Sequence, residues 1–218
     1  VIINIRRYDM KVLLINGSSD QKGCVYTALT EVSTSLNSQD IETEIIQLGN
    51  SAYRDCCGCG GCRKNDEGKC IFNNDIVNTI IEKAKTADGF VFGTPVYYAH
   101  TSGRLLSVMD RVFYAGSKYF KFKPAAAVAS ARRAGTTASL EPIMKHFTIN
   151  QMPVVSSNYW NMVHGNTPDE VKQDKEGLQI MRTLGLNMAW LMKCIECGKN
   201  SGIELPQTEA KIKTNFIR

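Results

Sequence analysis

The chain has 218 residues, a length that suits one domain or one domain with an appendage. Apolar residues make up 43% and charged residues 22%, an ordinary globular composition that excludes disordered and fibrous proteins. The net charge of +5 mildly favours anionic ligands such as phosphate esters, or reflects a solvated basic surface. No cluster of Lys and Arg is dense enough to suggest nucleic acid, and no apolar run reaches membrane-spanning length.

Residues 1–9 precede Met10, where the sequence Met-Lys-Val-Leu has the character of a natural start. We interpret these nine residues as an N-terminal extension, either an upstream part of the protein or a remnant of cloning. Their apolar part is too short for a signal peptide. The sequence therefore predicts a cytoplasmic protein with no membrane partner and no nucleic-acid partner.

Short apolar strands alternate with amphipathic helices from Met10 onward. The predicted elements are, in chain order, strand 11–16, helix 25–36, strand 42–48, helix 76–84, strand 89–92, helix 103–113, strand 125–131, helix 138–147, strand 153–155 and helix 168–197. Asn74 or Asp75 is expected to cap the second helix, and Gly198 is expected to end the last one.

This alternation predicts an α/β protein with a parallel sheet between two layers of helices. Five strands fit the flavodoxin-like three-layer α/β/α fold with strand order 2-1-3-4-5. We expect one domain over residues 10–200, with a cysteine-rich insertion at 55–70 and a polar tail at 201–218. In such a sheet ligands bind beyond the carboxyl ends of the strands, at the switch point between strands 1 and 3.

The loop after the first strand has the character of a phosphate site, because it is rich in glycine and hydroxyl groups and leads into a helix N-terminus. It matches neither a dinucleotide fingerprint nor a Walker A loop, and an ordinary strand–helix turn is the alternative. The predicted binding residues in this loop are Gly17, Ser18, Ser19, Gly23, Cys24 and Val25.

Two further strand ends complete the predicted site. The loop after the third strand offers aromatic rings that could flank a flat ring, and the loop after the fourth offers small residues and cationic donors. The candidates are Pro95, Val96, Tyr97 and Tyr98 in the former and Ser130, Arg132, Arg133 and Gly135 in the latter. Core packing of the tyrosines and solvation of the arginines are the alternatives. Together the three loops describe a pocket shaped for FMN.

The segments NGSSDQKG, FGTPVYYA and SARRAGTT resemble the FMN-binding loops of the NADPH-dependent FMN reductase and iron–sulfur flavoprotein group of flavodoxin-like proteins. The resemblance covers nearly the whole chain from Met10 and extends to PVVSSNYWNMVHG at 153–165. It implies FMN as cofactor, NAD(P)H as electron donor and a homodimer or homotetramer. The phosphate loop departs from the pattern of this group, since Ser19-Asp20 replace Pro-Arg and Cys24-Val25 replace Asn-Thr.

Five of the eight cysteines fall between residues 56 and 70. The spacing Cys56-x2-Cys59-x2-Cys62-x7-Cys70 can hold the four corners of a [4Fe–4S] cluster, and glycines between these positions give the backbone freedom to wrap it. Iron–sulfur members of the group resemble this spacing. Zinc and free thiols are the alternatives, and Cys57 is an additional thiol.

The function predicted from the sequence is an FMN-dependent oxidoreductase that takes hydride from NAD(P)H and passes electrons to a small-molecule or protein acceptor. The protein would orient the rings, so no catalytic side chain is assigned. An iron–sulfur flavoprotein that accepts electrons from ferredoxin is the first alternative. A degenerate scaffold whose cysteine segment binds zinc or a partner protein is the second.

Overall fold

A computed structural model describes residues 9–65, 67–210, 212, 214 and 216, so most of the predicted extension 1–9 lies outside the described residues. The strands are β1 (Lys11–Asn16), β2 (Glu42–Gln47), β3 (Gly89–Tyr97), β4 (His100–Thr101), β5 (Ala125–Ala131) and β6 (Met162–His164). Five of them are parallel in the order β2-β1-β3-β5-β6, while the two-residue β4 pairs antiparallel with β3. This confirms the predicted flavodoxin-like order. The fourth and fifth parallel strands are numbered β5 and β6 here because the short antiparallel β4 precedes them.

Helices cover both faces of this sheet. They are α1 (Cys24–Asn37), α2 (Val77–Ala84), α3 (Gly103–Gly116), α4 (Thr136–Ile149), α5 (Pro168–Gln173) and α6 (Lys175–Asn200). Since side chains alternate along a strand, Leu13 and Ile15 enter one core while Val12 and Leu14 enter the other. The first core lies under α2, α3 and α4, and the second lies under α1, α5 and α6. No helix in the described ranges combines the length and apolar character needed to cross a membrane.

The predicted fifth strand at 153–155 was wrong, because the last parallel strand is β6. Val154 forms only an isolated bridge with Ala125, at the beginning of β5. The chain then leaves the sheet and returns at Met162, which pairs with Ala129. Pro153 has no N–H to donate to a ladder, which helps to explain why pairing is not continuous here.

The predicted helix 168–197 is two helices, α5 and α6, separated at Asp174. This residue has φ −73° and ψ 78°, outside the helical region. Its Oδ1 accepts from the N–H of Gly177 at 2.9 Å and its Oδ2 accepts from the N–H of His164 at 2.7 Å. Asp174 therefore caps α6 and ties the helix to β6. The helix ends at Asn200 rather than at Gly198, and residues 201–210 form neither helix nor strand.

Strand β3 is longer than the predicted 89–92, and a tight turn joins it to β4. Tyr98 and Ala99 form the turn with φ of 51° and 56°, in the left-handed region that disfavours residues with a Cβ. Both side chains are exposed. The hairpin therefore carries local backbone strain at its tip.

Replacing Ala99 by glycine is expected to stabilise the fold by about 0.5–1 kcal/mol, because relief of the left-handed strain exceeds the entropy gained by the unfolded chain. Urea unfolding of both proteins measures the difference. The matched control is Ala138→Gly at an exposed position in α4, which is expected to lose up to about 1 kcal/mol. A loss of stability in Ala99→Gly would contradict the strain argument.

Candidate functional site

A pocket lies at the carboxyl edge of the sheet, where the segments after β1, β3, β5 and β6 converge. Its lining includes ten of the fourteen residues predicted to bind the cofactor: Ser18, Ser19, Gly23, Cys24, Val25, Pro95, Val96, Tyr97, Ser130 and Arg132. The remaining four, Gly17, Tyr98, Arg133 and Gly135, lie outside the lining. The three predicted loops therefore meet at one place.

Helix α1 presents its N-terminus to this pocket. Gly23 is its N-cap residue, no side chain in the described part of the chain caps it, and its first turn contains no acidic residue. The first amide groups of a helix have no partner inside the helix and carry partial positive charge. Unpaired amides at the floor of a pocket fit the phosphate of FMN.

Two glycines allow this corner to close. The N–H of Gly17 donates to the carbonyl oxygen of Gly93 at 2.8 Å, which joins the ends of β1 and β3. A Cβ on Gly17 would lie 2.8 Å from that oxygen and 3.0 Å from Cβ of Leu105 in α3, and a Cβ on Gly93 would lie 2.7 Å from Val25 in α1. Gly17 therefore contributes close packing beneath the pocket rather than part of its wall.

The phosphate loop is held by its own polar groups. The N–H of Ser18 donates to Oδ1 of Asn16 at 3.0 Å, and the N–H of Asp20 donates to the Ser18 hydroxyl at 3.1 Å. The N–H of Lys22 donates to Oδ1 of Asp20 at 3.0 Å. These bonds leave the Ser18 hydroxyl hydrogen available to a ligand, since the hydroxyl oxygen is the acceptor.

The residues that depart from the resembled pattern have distinct surroundings. Asp20 lines the pocket, and the negative charge of its carboxylate repels a phosphate bound there. Burial raises the pKa of the Cys24 thiol, whose Sγ lies 3.7 Å from the carbonyl oxygen of Gly165, so this thiol is neutral at neutral pH. Val25 is 1% exposed and its side chain packs in the core. Its contribution to the pocket is therefore its backbone rather than its side chain.

The two adjacent tyrosines have different environments. Tyr97 ends β3 in the pocket lining with 49% of its surface exposed, whereas Tyr98 at the turn is fully exposed. Neither is a core aromatic. Tyr97 is therefore the ring that this structure offers to a flat ligand.

The two adjacent arginines of the loop after β5 also differ in their position relative to the pocket. Arg132 lines the pocket, and the exposed Arg133 does not. Gly135 has φ 93° and precedes α4. A Cβ on it would lie 2.5 Å from Cα of Ala99, so this glycine lets the loop pack against the β3–β4 turn.

The sequence analysis missed part of the wall. Ala131 is the last residue of β5, while Gly165 and Asn166 lie between β6 and α5 and Pro168 begins α5. This fourth segment follows the strand whose position was wrongly predicted, so its place at the pocket could not be recognised. The resemblance at 153–165 was the one signal near it.

The four predicted metal ligands, Cys56, Cys59, Cys62 and Cys70, line a second pocket together with Cys57. All five are free thiols in this structure. Burial raises the pKa of the Cys62 thiol, and the nearby Cys70, Cys56 and Cys59 add to this effect. The segment Gly61–Arg63 is a single 3-10 turn, preceded by Gly58 and Gly60 with φ of 65° and 66°.

The chemistry of the cysteine pocket fits a thiolate-bound metal group, since four thiols at the predicted spacing line it. Within the described residues, however, no three Cys, His, Asp or Glu side chains converge closely enough to hold a metal ion. Tetrahedral zinc would require the four sulfurs to meet around one point with bonds of about 2.3 Å. In this structure the thiols surround the pocket but do not meet at such a point.

Arg111 of α3 is a further residue of this pocket that the sequence analysis missed. It is 2% exposed, and its guanidinium contacts Cys70, Asp75 and the backbone near them. Burial acts to lower the pKa of Arg111, but hydrogen bonds to Asp75 and Cys70 outweigh it and the pKa lies above its ordinary value. The sequence did contain one sign of this buried role, because Arg111 lies next to Val112 on the side of the predicted helix that faces the core.

Comparisons with known proteins agree with this geometry. The family model described as NADPH-dependent FMN reductase matches residues 10–167. An iron-sulfur flavoprotein of Methanocaldococcus jannaschii is 33% identical over 195 residues, which cover 86% of this chain and 100% of the relative. An FMN-dependent NADPH-azoreductase of Staphylococcus aureus is 28% identical over 134 residues, which cover 62% of this chain and 65% of the relative.

A solved flavodoxin from the domain Archaea superimposes with a TM-score of 0.57 at 14% identity, covering 84% of this chain and 99% of that one. This likeness concerns the fold, whereas the family match covers the loops that form the pocket. The resemblance stated from the sequence is thereby confirmed. The chain belongs to the NADPH-dependent FMN reductase family and is a flavin-dependent oxidoreductase.

Proposed function

We propose that the chain binds FMN at the carboxyl edge of its sheet and takes hydride from NAD(P)H. The observation that supports this most directly is the uncapped N-terminus of α1 facing a pocket built from the predicted loops. FMN, when bound, supplies the two-electron redox chemistry. The protein's part is to bind and orient the reactants.

Each wall of the pocket has a proposed role. The amides of the first turn of α1, with the hydroxyls of Ser18 and Ser19, hold the phosphate. Tyr97 packs against the flat ring, and Arg132 offers a cation to a phosphate of the nicotinamide substrate or of FMN. Asp20 is the one carboxylate among the described lining residues, so orientation rather than protein acid–base chemistry is the proposed basis of activity.

Replacing Tyr97 by alanine is expected to weaken FMN binding about two- to tenfold, because a stacked aromatic ring contributes roughly 0.5–1.5 kcal/mol. Quenching of flavin fluorescence on titration of the apoprotein measures the dissociation constant. Tyr98→Ala is the matched control, and its affinity should equal that of the unchanged protein because Tyr98 points into solvent. Equal affinities in all three proteins would remove Tyr97 from the site.

The visible spectrum of anaerobically purified protein tests the proposed reaction. Flavin bands should be present and should bleach when NADPH or NADH is added, because hydride transfer reduces the flavin. Dithionite reduction of the same sample is the control that the flavin can be reduced. Flavin bands that bleach with dithionite but with neither nicotinamide would contradict the role of NAD(P)H.

A second candidate function is that of an iron–sulfur electron carrier that receives electrons from ferredoxin. It is favoured by the four thiols that line one pocket at a cluster-like spacing. The relative from Methanocaldococcus jannaschii is itself named an iron-sulfur flavoprotein. In this proposal Cys56, Cys59, Cys62 and Cys70 hold a [4Fe–4S] cluster.

Iron and acid-labile sulfide assays on anaerobically purified protein test the cluster. We expect both elements in the unchanged protein and their loss in Cys59→Ser, because each corner of the cluster needs a thiolate. Cys57→Ser is the control and should keep both. Zinc without sulfide would favour the zinc alternative, and absence of all three would favour free thiols.

Three partner assignments stay predictions: a small-molecule or protein electron acceptor, ferredoxin as electron donor in the second candidate function, and assembly as a homodimer or homotetramer. So do the cytoplasmic location and the preference between NADPH and NADH.

A further inference from the structure

We propose that Arg111 is a positioning residue that fixes Cys70 in advance and closes the cysteine segment around its metal group. The inference rests on the second proposed function, that these cysteines hold an iron–sulfur cluster. It adds a residue outside the cysteine motif, on helix α3, to the machinery that forms the site.

The hydrogen bonds of Arg111 account for all five of its N–H groups. Nε donates to Sγ of Cys70 at 3.4 Å. One terminal nitrogen donates to the carbonyl oxygen of Arg54 at 3.2 Å and to Oδ2 of Asp75. The other donates to the carbonyl oxygen of Phe72 at 3.2 Å and to Oδ1 of Asp75 at 3.3 Å. A planar guanidinium offers five donors in a fixed fork, so each bond here constrains the others.

These partners lie on both sides of the cysteine segment. Arg54 immediately precedes residues 55–70, and Phe72 and Asp75 follow them. One buried side chain on a core helix therefore joins the two ends of a segment that otherwise contains a single short turn. Joining the ends restricts the conformations that the segment can adopt before a ligand binds.

Cys70 is held both at its backbone and at its sulfur. Its N–H donates to Oδ1 of Asn78 at 2.9 Å, and its carbonyl oxygen accepts from Nδ2 of the same residue at 2.9 Å. Arg111 then fixes the sulfur itself. By contrast, Cys57 and Cys59 are exposed and are flanked by Gly58 and Gly60 in left-handed conformations.

The arrangement indicates an order of assembly. Cys70 is a preset corner on the folded domain, and the glycine-rich arm that carries Cys56, Cys59 and Cys62 closes onto the metal group from the solvent side. The buried guanidinium of Arg111 keeps a positive charge and a donor beside the Cys70 sulfur. Asp75 balances that charge and keeps the guanidinium oriented.

Arg111→Lys is the variant that tests the proposal, since lysine keeps the charge but loses the five-donor fork. Each apoprotein is reconstituted anaerobically with ferrous iron and sulfide, and transfer of iron to a chelator is then timed. We expect the variant to lose iron about 10- to 100-fold faster, the range found when residues that hold a metal ligand are changed. Amides of residues 69–75 should also exchange faster in its metal-free form, while those of β1 remain protected.

Arg63→Lys is the matched control, because Arg63 lies in the same segment but donates to the hydroxyl of Tyr114 at 2.9 Å on the exposed side. It should retain iron like the unchanged protein. If Arg111→Lys does not fold, Asp75→Asn replaces it, because loss of the partner carboxylate frees the fork and should also speed iron loss.

The outcomes separate the two proposals. Iron loss from the Arg111 variant at the rate of the unchanged protein overturns the positioning role and leaves the cluster standing. Failure of the unchanged protein to take up iron and sulfide overturns the cluster and the positioning role with it. Equally fast loss from both arginine variants overturns the special role of Arg111.

Discussion

The close approach of β1 and β3 at their carboxyl ends is the constraint on which the candidate site depends. The hydrogen bond from Gly17 to Gly93 joins the strands at the point where their following helices diverge to opposite faces of the sheet. Any Cβ at these two positions would displace α1 or α3. Because both helices must start from this corner, the unpaired amides of α1 are brought to the edge where the other loops end.

A second constraint is the buried charge of Arg111. A guanidinium that is removed from water destabilises a fold unless its donors are satisfied, and here Asp75, Cys70 and two carbonyl groups satisfy it. The polar contacts of Arg111 thus join both ends of the cysteine segment to helix α3, beside the contacts of Cys62 and Arg63 with Tyr114. This explains how a segment with little regular structure keeps its thiols on one pocket.

Much of the fold could be predicted because the central strands are continuous apolar runs and α1 has a clear helical period. Strand β6 could not be predicted, because it has three residues and its position depends on where the chain returns to pair with β5. The break between α5 and α6 was also missed. The carboxylate of Asp174 both caps α6 and accepts from His164, and the second contact depends on the tertiary structure.

The site was predictable to the extent that it consists of backbone at strand ends. Topology alone brings those loops together, so Ser18, Pro95 and Ser130 could be placed by pattern. Which member of each adjacent pair faces inward depends on local dihedral angles, and the pairs Tyr97–Tyr98 and Arg132–Arg133 could not be separated from sequence. Long-range contacts of Arg111 were equally outside the reach of a periodic pattern.

The two pockets share no lining residue. Cys70 packs on the core beneath α2, α3 and α4, whereas Cys24 and the start of α1 pack on the other core. Val96 of the first pocket packs on the same core as Cys70, so packing connects the two pockets at that position. In evolutionary terms the cysteine arm is a separable module: a lineage could shorten it or replace its thiols while the pocket at the carboxyl edge of the sheet keeps its shape.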